Sequence, residues 1–87
     1  MSNNEFEAEC KKLVTEYSNK RIDKTDSVHI TPKDVYIVWL CKTLQNYKAL
    51  LSTTLSDGMY YELTYNGDKK QIYLDAYKKW ENVEFDY

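Results

Sequence analysis

Met59-Tyr60-Tyr61-Glu62-Leu63-Thr64-Tyr65-Asn66-Gly67-Asp68-Lys69-Lys70-Gln71-Ile72-Tyr73-Leu74-Asp75-Ala76-Tyr77 decides the fold of this chain. Two runs rich in aromatic and branched residues flank Asn66-Gly67, the dipeptide favoured in a two-residue type I′ turn because both central residues take positive φ. With that loop, Tyr65 faces Asp68, Leu63 faces Lys70, Tyr61 faces Ile72 and Met59 faces Leu74. Side chains alternate between the faces of a strand. Met59, Tyr61, Leu63, Ile72, Leu74 and Ala76 therefore share one side, a core face, while Tyr60, Glu62, Thr64, Gln71, Tyr73, Asp75 and Tyr77 share the other.

Upstream, Ser56-Asp57-Gly58 suits a three-residue loop closed by a left-handed glycine, which pairs Leu55 with Met59 and Leu51 with Leu63 and adds both leucines to the core face. A two- or four-residue loop would turn Leu50 inward instead. Leu44-Gln45-Asn46-Tyr47 is the polar break that makes the first turn. Before it, Val35-Tyr36-Ile37-Val38-Trp39-Leu40-Cys41 is apolar on both parities and rich in strand formers, as in a strand covered on both sides. The expected fold is α+β, a helix at about 4–21 packed on a four-stranded antiparallel meander with strands at about 35–43, 47–55, 59–65 and 68–78.

The helix is expected to start at an Asn4-x-x-Glu7 capping box, with Phe6, Cys10, Leu13 and Tyr17 as its buried stripe. Lys20 and Arg21 fall in its last turn, where the helix dipole favours them. Asp23 to Ser27 reads as a polar connection and Val28-His29-Ile30 as extended chain. Thr31-Pro32-Lys33-Asp34 resembles a helix start. Strand formers follow it, so a single turn leading into the first strand is expected, with a helix over residues 32 to 46 as the alternative. The final stretch, 81–87, alternates aromatic and acidic residues; it either continues the last strand and docks its rings or is a loose end that partners read.

Eighty-seven residues, 43% hydrophobic and 30% charged with two glycines and one proline, make one folded domain rather than a disordered chain. Twelve basic residues interspersed with fourteen acidic ones leave a net charge of −2 and no basic field for nucleic acid. Met1 to Glu9 lacks the layout of a signal peptide, and no apolar run is long enough for a membrane span, so a cytosolic setting without membrane contact is expected. Cys10 and Cys41 have neither zinc-site nor redox spacing and are expected as free thiols.

Catalytic chemistry finds little to stand on. His29 is the only histidine and has no nucleophile motif around it, and the two glycines lie nine residues apart at turns, so no phosphate-cradling loop forms. Asp57 and Asp68 serve turns. Glu62 and Asp75 share an open face without a cleft to tune them. No catalytic, metal or cofactor residue is assigned, and the chain is read as a non-enzyme.

Nine tyrosines in 87 residues are the exceptional feature. A tyrosine carries an apolar body and a polar tip, which suits contact with a protein at low entropic cost. Cross-strand stabilisation of the sheet explains such a cluster equally well. Tyr60, Tyr73 and Tyr77, with Glu62 and Asp75, are the candidate protein-binding residues. One helix covers only one side of a four-stranded sheet, and Tyr36, Val38, Leu40 and Leu50 then need cover on the far side. A host protein, a second copy in a homodimer, or the folded-back tail would supply it.

Val38-Trp39-Leu40-Cys41-Lys42-Thr43-Leu44-Gln45-Asn46-Tyr47-Lys48-Ala49-Leu50-Leu51-Ser52-Thr53-Thr54, with Asp57-Gly58-Met59-Tyr60-Tyr61-Glu62, Thr64-Tyr65-Asn66-Gly67-Asp68-Lys69-Lys70 and Ile72-Tyr73-Leu74-Asp75-Ala76-Tyr77-Lys78-Lys79-Trp80, resembles a family of short uncharacterised proteins from temperate bacteriophages and prophages of Gram-positive bacteria. The resemblance spans Asp34 to Trp80 and implies a phage-encoded protein acting in the host bacterial cytoplasm. The family is a domain of unknown function, so no site residue carries over. By analogy with small phage proteins, the expectation is an accessory protein that binds and modulates a host or phage protein through its aromatic sheet face. The alternative is a binding protein that sequesters a small nucleotide signal of host defence in an aromatic pocket, against which the acidic balance and the absence of a basic cluster for phosphates count. Mimicry of DNA would need a far more acidic surface.

Overall fold

The computed structural model describes residues 1–22 and 29–87. Among them a helix, α1 (Asn3–Arg21), precedes a one-turn 3-10 helix, η1 (Pro32–Asp34), and four strands, β1 (Val35–Thr43), β2 (Asn46–Thr53), β3 (Met59–Asn66) and β4 (Gln71–Lys78). The strands form one antiparallel sheet in the order β1-β2-β3-β4, the α+β meander expected. Helix after Pro32 goes no further than η1, where the Asp34 carboxylate accepts from the Thr31 amide at 2.8 Å. Beyond it, Val35, Ile37 and Val38 are branched at Cβ and favour extended chain. The expected polar connection from Asp23 to Ser27, and Val28, lie outside the described residues.

Ser2, rather than Asn4, caps α1: its backbone is extended and its Oγ accepts the Glu5 amide at 3.1 Å. The buried stripe is rotated from the expected one. Phe6, Cys10, Val14 and Ser18 are fully buried at a strict four-residue spacing, while Leu13 is half-buried and Tyr17 is 38% exposed with its ring edge against Tyr61. Ser18 tolerates that position because its hydroxyl donates to the buried Tyr61 hydroxyl at 3.2 Å. The core beneath the helix joins Phe6 to Ala49, Leu51, Tyr61 and Leu63, with the Phe6 ring stacked on Tyr47 at 4.8 Å. Tyr47 in turn donates to the Met1 carbonyl at 2.7 Å.

Both cysteines are free thiols, Cys10 buried and Cys41 exposed. Burial, then the charges of Glu9 and Glu7, push the Cys10 thiol up to about 12, so at neutral pH it stays protonated and out of reach. Native protein is expected to react with a thiol reagent once, quickly, at Cys41; Cys10 should react only after denaturant is added. Fast labelling of two thiols in the folded state would contradict the buried placement.

The hairpins differ from the expected ones in length and agree in parity. Instead of a type I′ turn at Asn66-Gly67, β3 and β4 are joined by residues 67–70, with Asn66 opposite Gln71 and Tyr65 opposite Ile72. Positive φ falls on Lys70, not on Asn66 or Gly67. The Asn66 side chain closes the wider turn by accepting from the Asp68 and Lys69 amides at 3.0 and 3.2 Å, and the neighbouring β1–β2 turn braces it through Gln45 to Asp68 at 2.6 Å. Gly67 is there for space, since a Cβ would stand 2.7 Å from Cγ of Gln45. The β2–β3 connection spans 54–58 and pairs Leu51 with Tyr61 and Ala49 with Leu63, rather than Leu51 with Leu63. Gly58 does take the left-handed conformation, φ +69. Because these two registers differ from expectation by an even number of residues, Met59, Tyr61, Leu63, Ile72 and Leu74 still face the helix.

The first turn is two residues, Leu44-Gln45, between Thr43 and Asn46, not four. Leu44 sits at φ +56 with 81% of its surface exposed, a conformation in which its Cβ costs energy and its side chain returns nothing. Relief of about 1–2 kcal/mol of left-handed strain outweighs the roughly 0.5–1 kcal/mol that glycine's unfolded-chain entropy costs, so Leu44→Gly is expected to raise stability by about 0.5–1 kcal/mol in urea unfolding; a loss would show that the leucine makes contacts that outweigh the strain.

β1 is an edge strand with its outer side exposed, not the strand covered on both sides that its composition predicts, and it alone changes faces. Between Ile37 and Trp39 the pairing with β2 slips, so Ile37 faces Leu51 and Trp39 faces Leu50 with Val38 as the extra residue of a β-bulge. After it, Leu40 falls opposite Ala49 and packs toward the core, and Trp39 turns outward. The far-side set is therefore Tyr36, Val38, Trp39 and Leu50, with Leu40 removed from it.

Candidate functional site: the outer face of the sheet

The helix covers the side of the sheet that carries Val35, Tyr47, Ala49, Leu51, Tyr61 and Leu63, and the other side is left open among the described residues. Its side chains can be set out in rows across the strands. Tyr36, Ser52, Tyr60 and Tyr77 form one row; Trp39, Leu50, Glu62 and Asp75 the next; Cys41, Lys48, Thr64 and Tyr73 the third. All five residues expected at the site thus meet on two adjacent strands, with Tyr60 directly opposite Tyr77 and Glu62 directly opposite Asp75. Tyr73 and Tyr77 leave 47% and 53% of their surfaces in solvent, and Tyr60 is half-buried between its neighbours.

Electrostatics distinguish the middle of this face. Two carboxylates directly across an antiparallel pair repel. Lys48 compensates Glu62 at 3.5 Å across a partly exposed contact, while Asp75 has no ion-pair partner among the described residues. A half-open pair of this kind contributes at most about 1 kcal/mol. The arrangement is an acidic centre with tyrosines on either side, suited to a cationic group that gains from both charge and ring faces.

Sequence reading missed Trp39, which the bulge brings to this face beside Leu50, since a run apolar on both parities conceals where the phase slips. The tail does not supply cover: after Lys79, whose amide donates to the Gly58 carbonyl at 2.7 Å, Trp80, Val83, Phe85 and Tyr87 all remain exposed. On the helix side, Lys42 and Lys70 border a shallow hollow with Met1, Tyr47 and Tyr65, a meeting that no spacing announces. His29 is exposed. Among the described residues no cluster of three metal-ligating side chains forms, and no helix is long and apolar enough to cross a membrane.

Fold and face together define a small α+β protein in which one helix seals one side of an antiparallel meander. The chain belongs to a family of unknown function, DUF6275, whose model matches residues 7–87. No curated protein and no solved structure matches it.

Proposed function

We propose that this chain is a non-enzymatic accessory protein, encoded by a temperate phage or prophage, that binds and modulates a host or phage protein in the bacterial cytoplasm. The contact surface is the outer sheet face, with Tyr60, Tyr73 and Tyr77 around Glu62 and Asp75. The observation that carries the reading is the co-location of those five residues on the one face that the helix leaves open. Sheet stability alone asks for no such exposure, whereas tyrosine at the centre of an interface contributes strongly once water is excluded. The acidic centre fits a partner that offers a lysine or arginine there. The phage setting rests on the sequence resemblance of residues 34–80. Capture from bacterial lysate with the tagged full chain, beside a variant carrying Tyr60→Ala, Tyr73→Ala and Tyr77→Ala, tests it: a specific partner should be retained by the first and lost by the second.

A further inference from the structure

The sheet has two edges, and they differ. β1 carries the bulge at Val38, which bends an edge and spoils it as a template. β4 pairs with β3 through eight consecutive residues without a slip, contains no proline, and has no strand on its other side among the described residues. A flat edge of that length presents a row of unpaired backbone N–H and C=O groups. The residues that follow it have the opposite need. Val83-Glu84-Phe85-Asp86-Tyr87 alternates apolar and acidic residues with the period of a half-buried strand. It joins no sheet here, and Trp80 and Phe85 are 94% and 85% exposed. The family match runs to residue 87, so this segment is part of the domain the family defines. Lys79-Trp80-Glu81 contains no glycine or proline with which to fold it back on its own β4.

We propose that a second copy of this chain completes the β4 edge, with Asn82 to Tyr87 of each copy pairing antiparallel with Tyr73 to Lys78 of the other about a two-fold axis at Trp80. Parity fixes the arrangement. When the strand direction of β4 is continued, odd-numbered residues stay on the outer face, so Val83, Phe85 and Tyr87 line up on the side of Tyr73 and Tyr77. An axis perpendicular to the sheet then sets Tyr73 opposite Tyr87, Tyr77 opposite Val83 and Lys79 opposite Glu81, with Lys78 diagonal to Glu84. Aromatic pairs and opposite charges both fall at cross-strand neighbours, the contacts that stabilise antiparallel pairs. Each four-stranded sheet gains a fifth strand. The same parity puts Trp80 on the helix side of the sheet beside its own copy at the axis, and Phe85 and Tyr87 on the outer side, so aromatic rings meet on both faces of the seam. The exchange is isologous and closes on itself, so it yields a dimer and not a fibre.

Light scattering coupled to size exclusion of the full chain, at about 100 µM so that mass action favours association, tests the pairing. The expected mass is twice the 10.4 kDa of one chain. Val83→Lys with Phe85→Lys should return it to one chain that still unfolds cooperatively in urea, because neither residue belongs to the core. Tyr36→Ala with Trp39→Ala, on the outer face at the opposite edge, should leave the dimer intact. A wild-type monomer, a dimer that survives the tail substitutions, or a dimer lost only with Tyr36 and Trp39 would each overturn the proposal. The pairing sets Val83, Phe85 and Tyr87 beside Tyr77, Asp75 and Tyr73, so lysate capture repeated with the Val83→Lys, Phe85→Lys variant reads partner docking on the outer face apart from self-association.

Discussion

Phe6→Ala is expected to lower the unfolding free energy by about 3–5 kcal/mol, the range for removing a buried aromatic ring and leaving its cavity. Phe6 is fully buried and stacked on Tyr47, the contact that fastens the start of α1 to β2. A domain of 87 residues has roughly 4–13 kcal/mol in total, so the variant should be marginal at room temperature, with its urea midpoint close to zero denaturant at the low end of that range. Phe85→Ala supplies the matched comparison. It removes the same ring from a segment exposed in the single chain and, in protein dilute enough to be monomeric, should change stability by less than about 0.5 kcal/mol. Equal losses from the two substitutions would mean that the helix is not docked as described.

Removing the outer-face rings should have the reverse profile, a large loss of binding with little loss of fold. Interface tyrosines at a desolvated centre each contribute about 2 kcal/mol or more on truncation, and such losses are not additive. For Tyr60→Ala, Tyr73→Ala and Tyr77→Ala together, the partner's dissociation constant is expected to rise by at least about 100-fold, which is roughly 2.7 kcal/mol. The stability cost is that of the cross-strand pairs of Tyr60 with Tyr77 and of Tyr73 with Thr64, about 0.2–1 kcal/mol each. Titration of the captured partner against both proteins reads the first quantity and urea unfolding the second. Full-strength binding by a folded triple variant would assign these rings to the sheet's own stability.

The sequence reveals which residues share a face more reliably than which residues stand opposite. A hairpin register wrong by two or four residues moves every partner and leaves every face intact, which is why Tyr60, Glu62, Tyr73, Asp75 and Tyr77 come together although the Asn66-Gly67 turn is not the one that forms. The turn itself was open to misreading because Asn66 satisfies two designs: positive φ in a type I′ turn, or a side chain that accepts from amides two and three residues ahead. Side-chain braces from Gln45 and Asn46, distant in sequence, favour the second. At the helix start, Ser2 and Asn4 are both capable caps, and local sequence does not rank them. Odd slips are another matter. Val38-Trp39-Leu40-Cys41 is apolar at every position, so nothing in its pattern marks where inside becomes outside, and Trp39 at the outer face is legible only in three dimensions.

The extra residue at Val38 also bears on how relatives of this chain are to be compared. It acts as a half-step in the phase of β1: removing Val38 would leave Ile37 inward, Trp39 outward and Leu40 inward, whereas removing any single residue from Leu40 to Thr43 would exchange the two sides for everything between the deletion and the turn. Matching columns in an alignment of this strand therefore do not by themselves mean matching surroundings. A family member one residue shorter here has the same exterior only if the missing position is the bulge.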